Sequence, residues 1–421
     1  MANAFSKEER VAFELLLEGF HDQLVLSRNV SIYNTDQVTM ERTSDTIWRP
    51  MPYISQSFDG QDQTSNFKDY TQLSVPARIG FAKSVPWTLT AKELRDALQE
   101  QRLGQSAKQK LASDINRAVL DVASLQGSLV VKRTAAASGF DDVAQCEAIM
   151  NEQGIQYGDR YLALSTRDYN GMASNLQTAS RSFNNAKSVD AYERAYVGEV
   201  ASFDTFKLDY ARRLTAAAGG GSITINSGTQ YYTPKATSTA STGEVGNVDN
   251  RFQTVTVSST TNVAAGDAFT ITGVEAVHHI TKQSTGQRKT FRVVSVDSAT
   301  TMTITPPIIG AQAVATDAQL QYKNVEVVTP SNTAAITFLN VNTASVNVFW
   351  QRDSLEILPG RYAVPSDAGV AVMRASTDQG IELVMQKFYD IDSMTIKYRL
   401  DTLFGVVNKN PEMSGILLFN Q

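Results

Sequence analysis

The sequence is poor in the side chains that carry most chemistry. Among 421 residues there is one cysteine, Cys146, and there are three histidines. A single thiol excludes an internal disulfide framework and any cluster of thiolate ligands, which fits a reducing compartment or a fold that needs no staples. His278 and His279 are adjacent. On a strand they would point to opposite faces, so a turn suits them better than a shared metal. No apolar run reaches membrane-spanning length, and Met1 to Glu9 is polar and charged rather than the start of a secretory signal, so the chain reads as soluble and unsecreted. Charge of either sign is modest: 38 Lys+Arg against 43 Asp+Glu give a formal net charge of -5, with no basic cluster to grip phosphate. Contact with DNA would be incidental. A Gly-x-Ser-x-Gly elbow, a phosphate loop, His-Glu-x-x-His and Cys-x-x-Cys are all missing. Asp141-Asp142 and the Asp390/Asp392 pair are explained by a helix cap and a polar turn, and Gly219 to Gly221 by a hinge. The sequence is therefore read as non-enzymatic, with no catalytic residue, cofactor or metal.

What is present is ordinary globular material, 42% hydrophobic and 19% charged, in a length that allows two or three cores. The chain is organised around Thr90 to Gln126. Thr90 and Glu93 form a capping box, Gly127 stands where a left-handed C-terminal cap is expected, and Leu94, Leu98, Leu103, Ala107, Leu111, Ile115, Val119, Val122 and Leu125 form one apolar stripe. A helix of that length runs about 55 Å. It is a spine for other elements. Ahead of it, Ser6 and Glu9 cap a greasy helix through Phe13, Phe20 and Val25, which docks either on its own core or on a neighbour. Glu41 to Lys83 reads as a long hairpin carrying Trp48 and Arg49 on one arm and Leu73 to Phe81 on the other. Its polar tip, Ser55 to Lys68, turns at Asp59-Gly60 and is either a flexible loop or an arm laid across another subunit.

After the spine come a strand, Leu129 to Lys132, a helix capped by Asp141 or Asp142 that packs Cys146 and stops at Gly154, a strand at Tyr161 to Ser165, and helices at Thr166 to Leu176 and Val189 to Val200. This alternation gives an α+β unit. Beyond the Ala216 to Ser222 hinge the chain turns rich in Thr, Ser and Val, with short strands at Ser222 to Ile225, Gln253 to Val257, Ala268 to Thr272, Thr290 to Val296, Met302 to Ile304 and Val325 to Val328. That spacing implies a small barrel or sandwich, inserted because mixed structure resumes after it. From Ile336 to Asn340 onward the strands lengthen, and Ile381 to Tyr389 with Met394 to Arg399 form a ribbon. The boundaries expected are 1–40 N-terminal helical arm, 41–85 hairpin arm, 86–135 spine, 136–218 axial domain, 219–332 inserted β-barrel, and 333–421 the remainder with the ribbon. Shapes this elongated suit large obligate interfaces.

In that order of elements the chain resembles the major capsid proteins of tailed phages, the Hong Kong ninety-seven fold, and within it the P-twenty-two-like coat proteins with an inserted barrel. Ser44-Asp-Thr-Ile-Trp-Arg-Pro50, Glu93-Leu-Arg-Asp96, Ser124 to Val130, Asn247-Val-Asp-Asn-Arg-Phe252, Thr303-Ile-Thr-Pro306 and Asn347-Val-Phe-Trp350 carry the likeness. The resemblance implies a virion shell protein, assembled in the host bacterial cytoplasm into hexamers and pentamers of an icosahedral procapsid. Its implied partners are itself, a scaffolding protein, a portal and non-specifically held double-stranded DNA, with no membrane. It implies intersubunit roles for Asp249 and Arg251 in the barrel loop, Trp48, Arg49 and Asp59 in the arm, and Phe20 in the first helix. Asp249 and Arg251, spaced i,i+2, would share a strand face for pairing with a symmetry mate. The competing reading is a carbohydrate-binding or adhesion protein whose barrel offers Tyr231 and Tyr232.

Overall fold

The computed structural model describes residues 5, 9–14, 17, 24–33, 46–52, 54–55, 57–64, 66–67, 69–90, 93, 97–180, 197–218, 223–312, 315–364, 369–377 and 379–421. It is an α+β fold in which strand, at 39%, outweighs helix, at 20%. The first half supplies β1 (Thr46–Pro50), β2 (Ser74–Arg78), β3 (Phe81–Thr90), α1 (Ala97–Gln126), β4 (Leu129–Lys132), α2 (Phe140–Glu152), β5 (Arg160–Ser165), α3 (Thr166–Ser180) and β6 (Phe203–Leu208). Next come β7 (Gln253–Thr256), β8 (Ala268–Val277), β9 (Ser284–Val296), β10 (Thr301–Thr305), α4 (Asp317–Tyr322) and β11 (Ile336–Phe338). The chain closes with β12 (Asn347–Gln351), β13 (Leu355–Pro359), β14 (Ala371–Ser376), β15 (Glu382–Asp390), β16 (Thr395–Asn408) and β17 (Ser414–Leu418). Two compact units result: Met1–Ile47 with Ala77–Leu120 and Leu355–Val407, and Trp48–Pro76 with Asp121–Ser354 and Asn408–Gln421.

The first unit is built on the long strand β16. β15 pairs with it from Leu383↔Thr402 to Asp390↔Thr395, and β3 pairs with it from Thr395↔Thr90 to Phe404↔Phe81. Directly opposed aromatics lock this register: Trp87 stacks on Tyr398 at 5.6 Å and Phe81 on Phe404 at 5.4 Å, each pair adding about 0.2–1 kcal/mol. Residues 9–14 are helical, Phe5 and Phe13 are buried, and the Glu9 carboxylate accepts hydrogen bonds from Lys387 Nζ (2.5 Å) and the Tyr398 hydroxyl (3.0 Å). Of the two dockings open to the first helix, this part of it takes its own chain. Phe20 lies outside the described residues. The capping box forms, Thr90 N to Glu93 Oε2 at 2.9 Å and Glu93 N to Thr90 Oγ1 at 3.4 Å. Ala107, Leu111, Ile115 and Val119 bury as the stripe requires, whereas Leu103 is exposed.

In the second unit a sheet ordered β4-β17-β12-β5-β6 carries α2 and α3. Its core joins Val143, Cys146 and Met150 of α2, Tyr169 and Met172 of α3, and Leu129, Leu162, Phe349 and Leu417 of the sheet. Burial pushes the Cys146 thiol far up, which leaves it a packed hydrophobe. Three local expectations change. Gly139 is the N-cap of α2, and Asp142 instead sits at N3, its carboxylate accepting from Ser138 N (2.7 Å), Gly139 N (3.2 Å) and Arg133 Nε (2.6 Å). Glu199–Val200, expected at a helix end, is a strand antiparallel to β6, because Val200 buries beside Phe203; residues 189–196 are outside the described ones. Gly127 is not left-handed. It is needed because a Cβ there would stand 2.8 Å from the Ala123 carbonyl and 3.1 Å from Gly415 N.

The Thr/Ser-rich stretch forms a second sheet, ordered β7-β10-β9-β8-β11. Residues 223–226 close it into a barrel. They bond to one edge through Asn226 N to Thr256 O (3.0 Å) and Ser258 N to Thr224 O (2.8 Å), and to the other through Ile336 N to Ile223 O (2.9 Å) and Thr333 N to Ile225 O (2.9 Å). Val255, Phe269, Ile271, Phe291, Val293, Met302 and Ile304 fill it. On either side of this stretch in sequence, Arg213–Leu214 and Ala344–Ser345 pair antiparallel. Ile336, grouped by the sequence with the later strands, belongs to this barrel through β8. The expected Val325 to Val328 strand is a single bridge, Val325 to Ala276. α4 was missed although Thr316-x-x-Gln319 is a capping box, with Gln319 N donating to Thr316 Oγ1 at 3.3 Å.

Gly415, between β4 and β12, tests this packing. An added Cβ would overlap the Leu129 carbonyl and approach Phe349 Cζ to 2.5 Å. Gly415→Ala is expected to cost about 1–3 kcal/mol, read as a lowered urea midpoint at unchanged m-value.

Candidate functional site

Three surfaces bear on function: a polar seam beneath the barrel, the loop at Asp249, and the arm. The seam is made by β9. Lys289, Thr290 and Arg292 are buried polar residues on a strand whose neighbours Phe291 and Val293 fill the barrel. Thr290 Oγ1 donates to the Ser128 carbonyl at 2.7 Å. Arg292 donates through Nε and Nη2 to the Gly266 carbonyl (3.1 and 2.8 Å) and through Nη1 to the Gly127 carbonyl (3.4 Å). Gly127 directly follows the C-terminus of α1, where carbonyls lack helical partners and the helix dipole is negative, so a buried cation is well placed there. Burial draws the Arg292 pKa down to about 9, opposed by Asp267. Lys289 Nζ donates to Glu412 Oε1 and, at 3.1 Å, to Gln153 Oε1.

Around Glu412 the titratable groups are strongly perturbed. Burial raises the Glu412 carboxyl, but Lys289, His279 and the hydrogen bonds from Lys289 and Asn324 outweigh it and hold the group below the ordinary carboxylate range. His279, in the turn after β8, is mostly shielded from water, and that desolvation brings it down to about 4 against the pull of Glu412; its Nε2 stands 3.7 Å from Glu412 Oε2 and makes no hydrogen bond. Lys282 is lowered to about 8, chiefly by burial. Sequence reading passed over this cluster, since its members lie far apart along the chain.

Asp249 and Arg251 do not share a strand face. They sit at the turn leading into β7, where Asp249 Oδ1 accepts from Arg251 N (3.1 Å) and Nε (2.9 Å) and Oδ2 accepts from Nη2 (2.7 Å). The guanidinium is buried, stacks over Phe252 at 5.0 Å and donates to the Asn408 carbonyl at 2.9 Å. At a turn an i,i+2 carboxylate folds back on the backbone, so the pair is satisfied inside one chain. Trp48 and Arg49 are half-buried on β1, which pairs with β2. Asp59 is exposed at the tip, its carbonyl held by Gln63 Nε2 at 3.2 Å.

The neck of the arm packs on residues of its own chain that flank the Thr/Ser-rich sheet. Leu73 packs with Ile309 and Tyr322, flanked by Met51, Ile54 and Tyr232. Thr71 N donates to Gln321 Oε1 (3.1 Å), and the Tyr322 hydroxyl donates to the Thr71 carbonyl (2.9 Å). Apolar contacts of this kind seat the neck, whereas the tip leaves its aromatic rings in solvent. There Phe67 is 86% and Tyr70 55% exposed, rimming a cavity of ≈ 600 Å³ with Phe58, Asp317 and Gln321. Of the two tyrosines of the competing reading, Tyr232 is half-buried and donates its hydroxyl to Asn250 Oδ1 (3.1 Å), while Tyr231 is exposed. Among the described residues no helix is long and apolar enough to cross a membrane, and no group of three His, Cys, Asp or Glu side chains could hold a metal ion.

Residues 1–420 match the family described as P22 coat protein, gene protein 5. The chain belongs to that family. It is a major capsid protein, a subunit of the icosahedral head of a bacteriophage, located in the virion shell. Among solved structures it is similar to one of Mycobacterium phage Che8, at 9% identity over 94% of this chain and 90% of that one with a TM-score of 0.44. It is also similar to the mature capsid of bacteriophage PhiM1 (10% identity, 93% and 85% covered, TM-score 0.43) and to the CUS-3 coat protein I-domain (42% identity, 29% and 99% covered, TM-score 0.23).

Within this coat protein the Asp249 carboxylate is the counter-ion of a buried guanidinium. Asp249→Ala is expected to cost about 1–3 kcal/mol in urea unfolding, while Glu244→Ala on the nearby exposed loop stays within about 0.5 kcal/mol.

Proposed function

We propose that this coat protein builds the phage head as hexamers and pentamers, with residues 219–332 acting as an inserted barrel domain and the 41–85 arm, the 86–135 spine and the 136–218 and 333–421 segments forming the shell body. The observation that carries this reading is the family match along essentially the whole chain. The antiparallel pairing of Arg213–Leu214 with Ala344–Ser345 supports the insertion, since entry and exit side by side let a domain be added without disturbing its host.

The intersubunit residues are Trp48, Arg49 and Asp59 on the arm, Asp249 and Arg251 beside the barrel, and Phe20 in the first helix. Asp249 and Arg251 would act by exchange: in the isolated chain they satisfy one another, and a symmetry mate would have to offer equivalent partners. Three exposed aromatics around the arm tip, Phe58, Phe67 and Tyr70, give that element apolar surface to bury against a second copy. A scaffolding protein and a portal join during assembly, as the family pattern implies. Double-stranded DNA is enclosed without sequence preference, and a chain of net charge -5 would not grip it strongly.

Electron cryo-microscopy of particles from cells expressing this chain with its scaffolding protein tests the proposal. Closed shells with six- and five-fold capsomers are expected; a persistent monomer that binds sugars would overturn it. Phe67→Asp should leave subunit stability within about 0.5 kcal/mol, because the ring is solvated, yet weaken each arm contact about tenfold or more and so depress shell yield.

A further inference from the structure

Glu412 lies in the short turn Pro411–Met413 that leads into β17. That turn is fixed from below: the Pro411 carbonyl accepts from Ser128 N and Ser128 Oγ, both at 2.9 Å, and Asn410 Oδ1 accepts from Glu412 N at 3.1 Å. From above, the barrel brings two donors to the one carboxylate, Lys289 and Asn324, and sets two further basic groups near it, His279 and Lys282, the latter donating to the Lys323 carbonyl at 3.2 Å. Lys289 comes from β9, His279 and Lys282 from the turn between β8 and β9, and Asn324 Nδ2, at 3.2 Å, from the segment after α4. A fourth element, the C-terminal end of α2, joins through Gln153, whose side-chain oxygen takes Lys289 and whose carbonyl takes His279 N at 3.1 Å. Lys323 is engaged by Glu326 at 2.8 Å, and His278 Nδ1 accepts from Ile280 N and Thr281 N, both at 3.2 Å. The facing set is thus one acid against Lys289, Lys282 and two imidazoles.

From this arrangement we infer that Glu412, Lys289 and His279 form a proton-sensitive clamp that fastens the barrel to the edge of the β4/β17 sheet, and that acidification releases it. The bonds that Lys289 Nζ and Asn324 Nδ2 make across the junction need Glu412 ionised, and the His279 ring, 3.7 Å from Glu412 and mostly shielded from water, is accommodated there without a charge. Opening the clamp returns His279 to water and to its ordinary pKa of 6.5, whereas closed it is held to about 4. Between those values the open form binds a proton that the closed form does not, so the clamp is fully stable above 6.5 and weakens as pH falls toward 4. Protonated His279 would also add a second cation next to Lys289, with Glu412 alone to offset both. Glu412 itself shifts in the same sense, its closed form below 4.5, so further acid removes the anchor as well.

Hydrogen–deuterium exchange of the full-length protein at pH 7.5 and pH 5.0, corrected for intrinsic exchange rates, tests the clamp. Amides of residues 289–293 and 411–416 are expected to open on the order of tenfold more often at pH 5.0, while those of β5 keep their protection. His279→Gln should reduce that response to about twofold or less, and Glu412→Gln should expose the same amides at both pH values. Equal opening of the wild-type segments at the two pH values would overturn the inference, as would a full acid response in His279→Gln. Because the wild-type comparison stands alone, it decides the question even if a variant fails to fold.

Discussion

The placement of the barrel rests first on meeting, with Arg292 and Thr290, the carbonyls that a helix and a strand cannot satisfy themselves. α1 ends at Gln126, and the Gly127 carbonyl is taken by Arg292; the next carbonyl, of Ser128, is taken by Thr290. An unmade hydrogen bond at either place would cost about 1–3 kcal/mol, and a buried guanidinium without acceptors more. The same strand that supplies these groups turns Phe291 and Val293 the other way into the barrel core. Over residues 290–293 strand alternation therefore makes β9 a two-sided element, apolar toward its own barrel and polar toward the Gly127 and Ser128 carbonyls.

A polar seam between two apolar cores has consequences that an apolar one would lack. Hydrophobic surfaces tolerate sliding and rotation, whereas Lys289, Arg292 and Glu412 demand particular acceptors at particular places. Such a joint specifies one orientation of the barrel, and it gives way as a unit once a partner is lost. For a capsid subunit, whose neighbours are copies of itself, a fixed orientation matters because any local error is repeated at every equivalent contact of the shell.

Much of this was legible in sequence and some was not, for reasons that are physical. The spine helix, the long ribbon around β15 and β16 and the short barrel strands were readable because period and turn chemistry are local. The family likeness was readable because short strings such as Asn347-Val-Phe-Trp350 recur in order. The N-cap of α2 shifted because Asp142 finds better use reaching back from N3, with Arg133 as counter-ion. Asp249 and Arg251 were expected on a strand face, and the turn that pairs them depends on a buried environment that includes Asn408. The clamp was invisible: residues 153, 279, 289, 324 and 412 meet only after the barrel has closed. His279 in particular looked like a surface residue of a turn, and only its shielded place beside Glu412 gives it a role.

The claim that a polar seam makes the barrel and the β4/β17 sheet one cooperative unit is tested most directly by hydrogen exchange followed peptide by peptide through increasing urea. Amides of β8 to β10 and of β4, β12 and β17 should lose protection together in the wild type, and the barrel should separate to lower urea when Arg292→Met and Lys289→Met are combined. A wild-type barrel that already opens independently of the β4/β17 sheet would contradict the account.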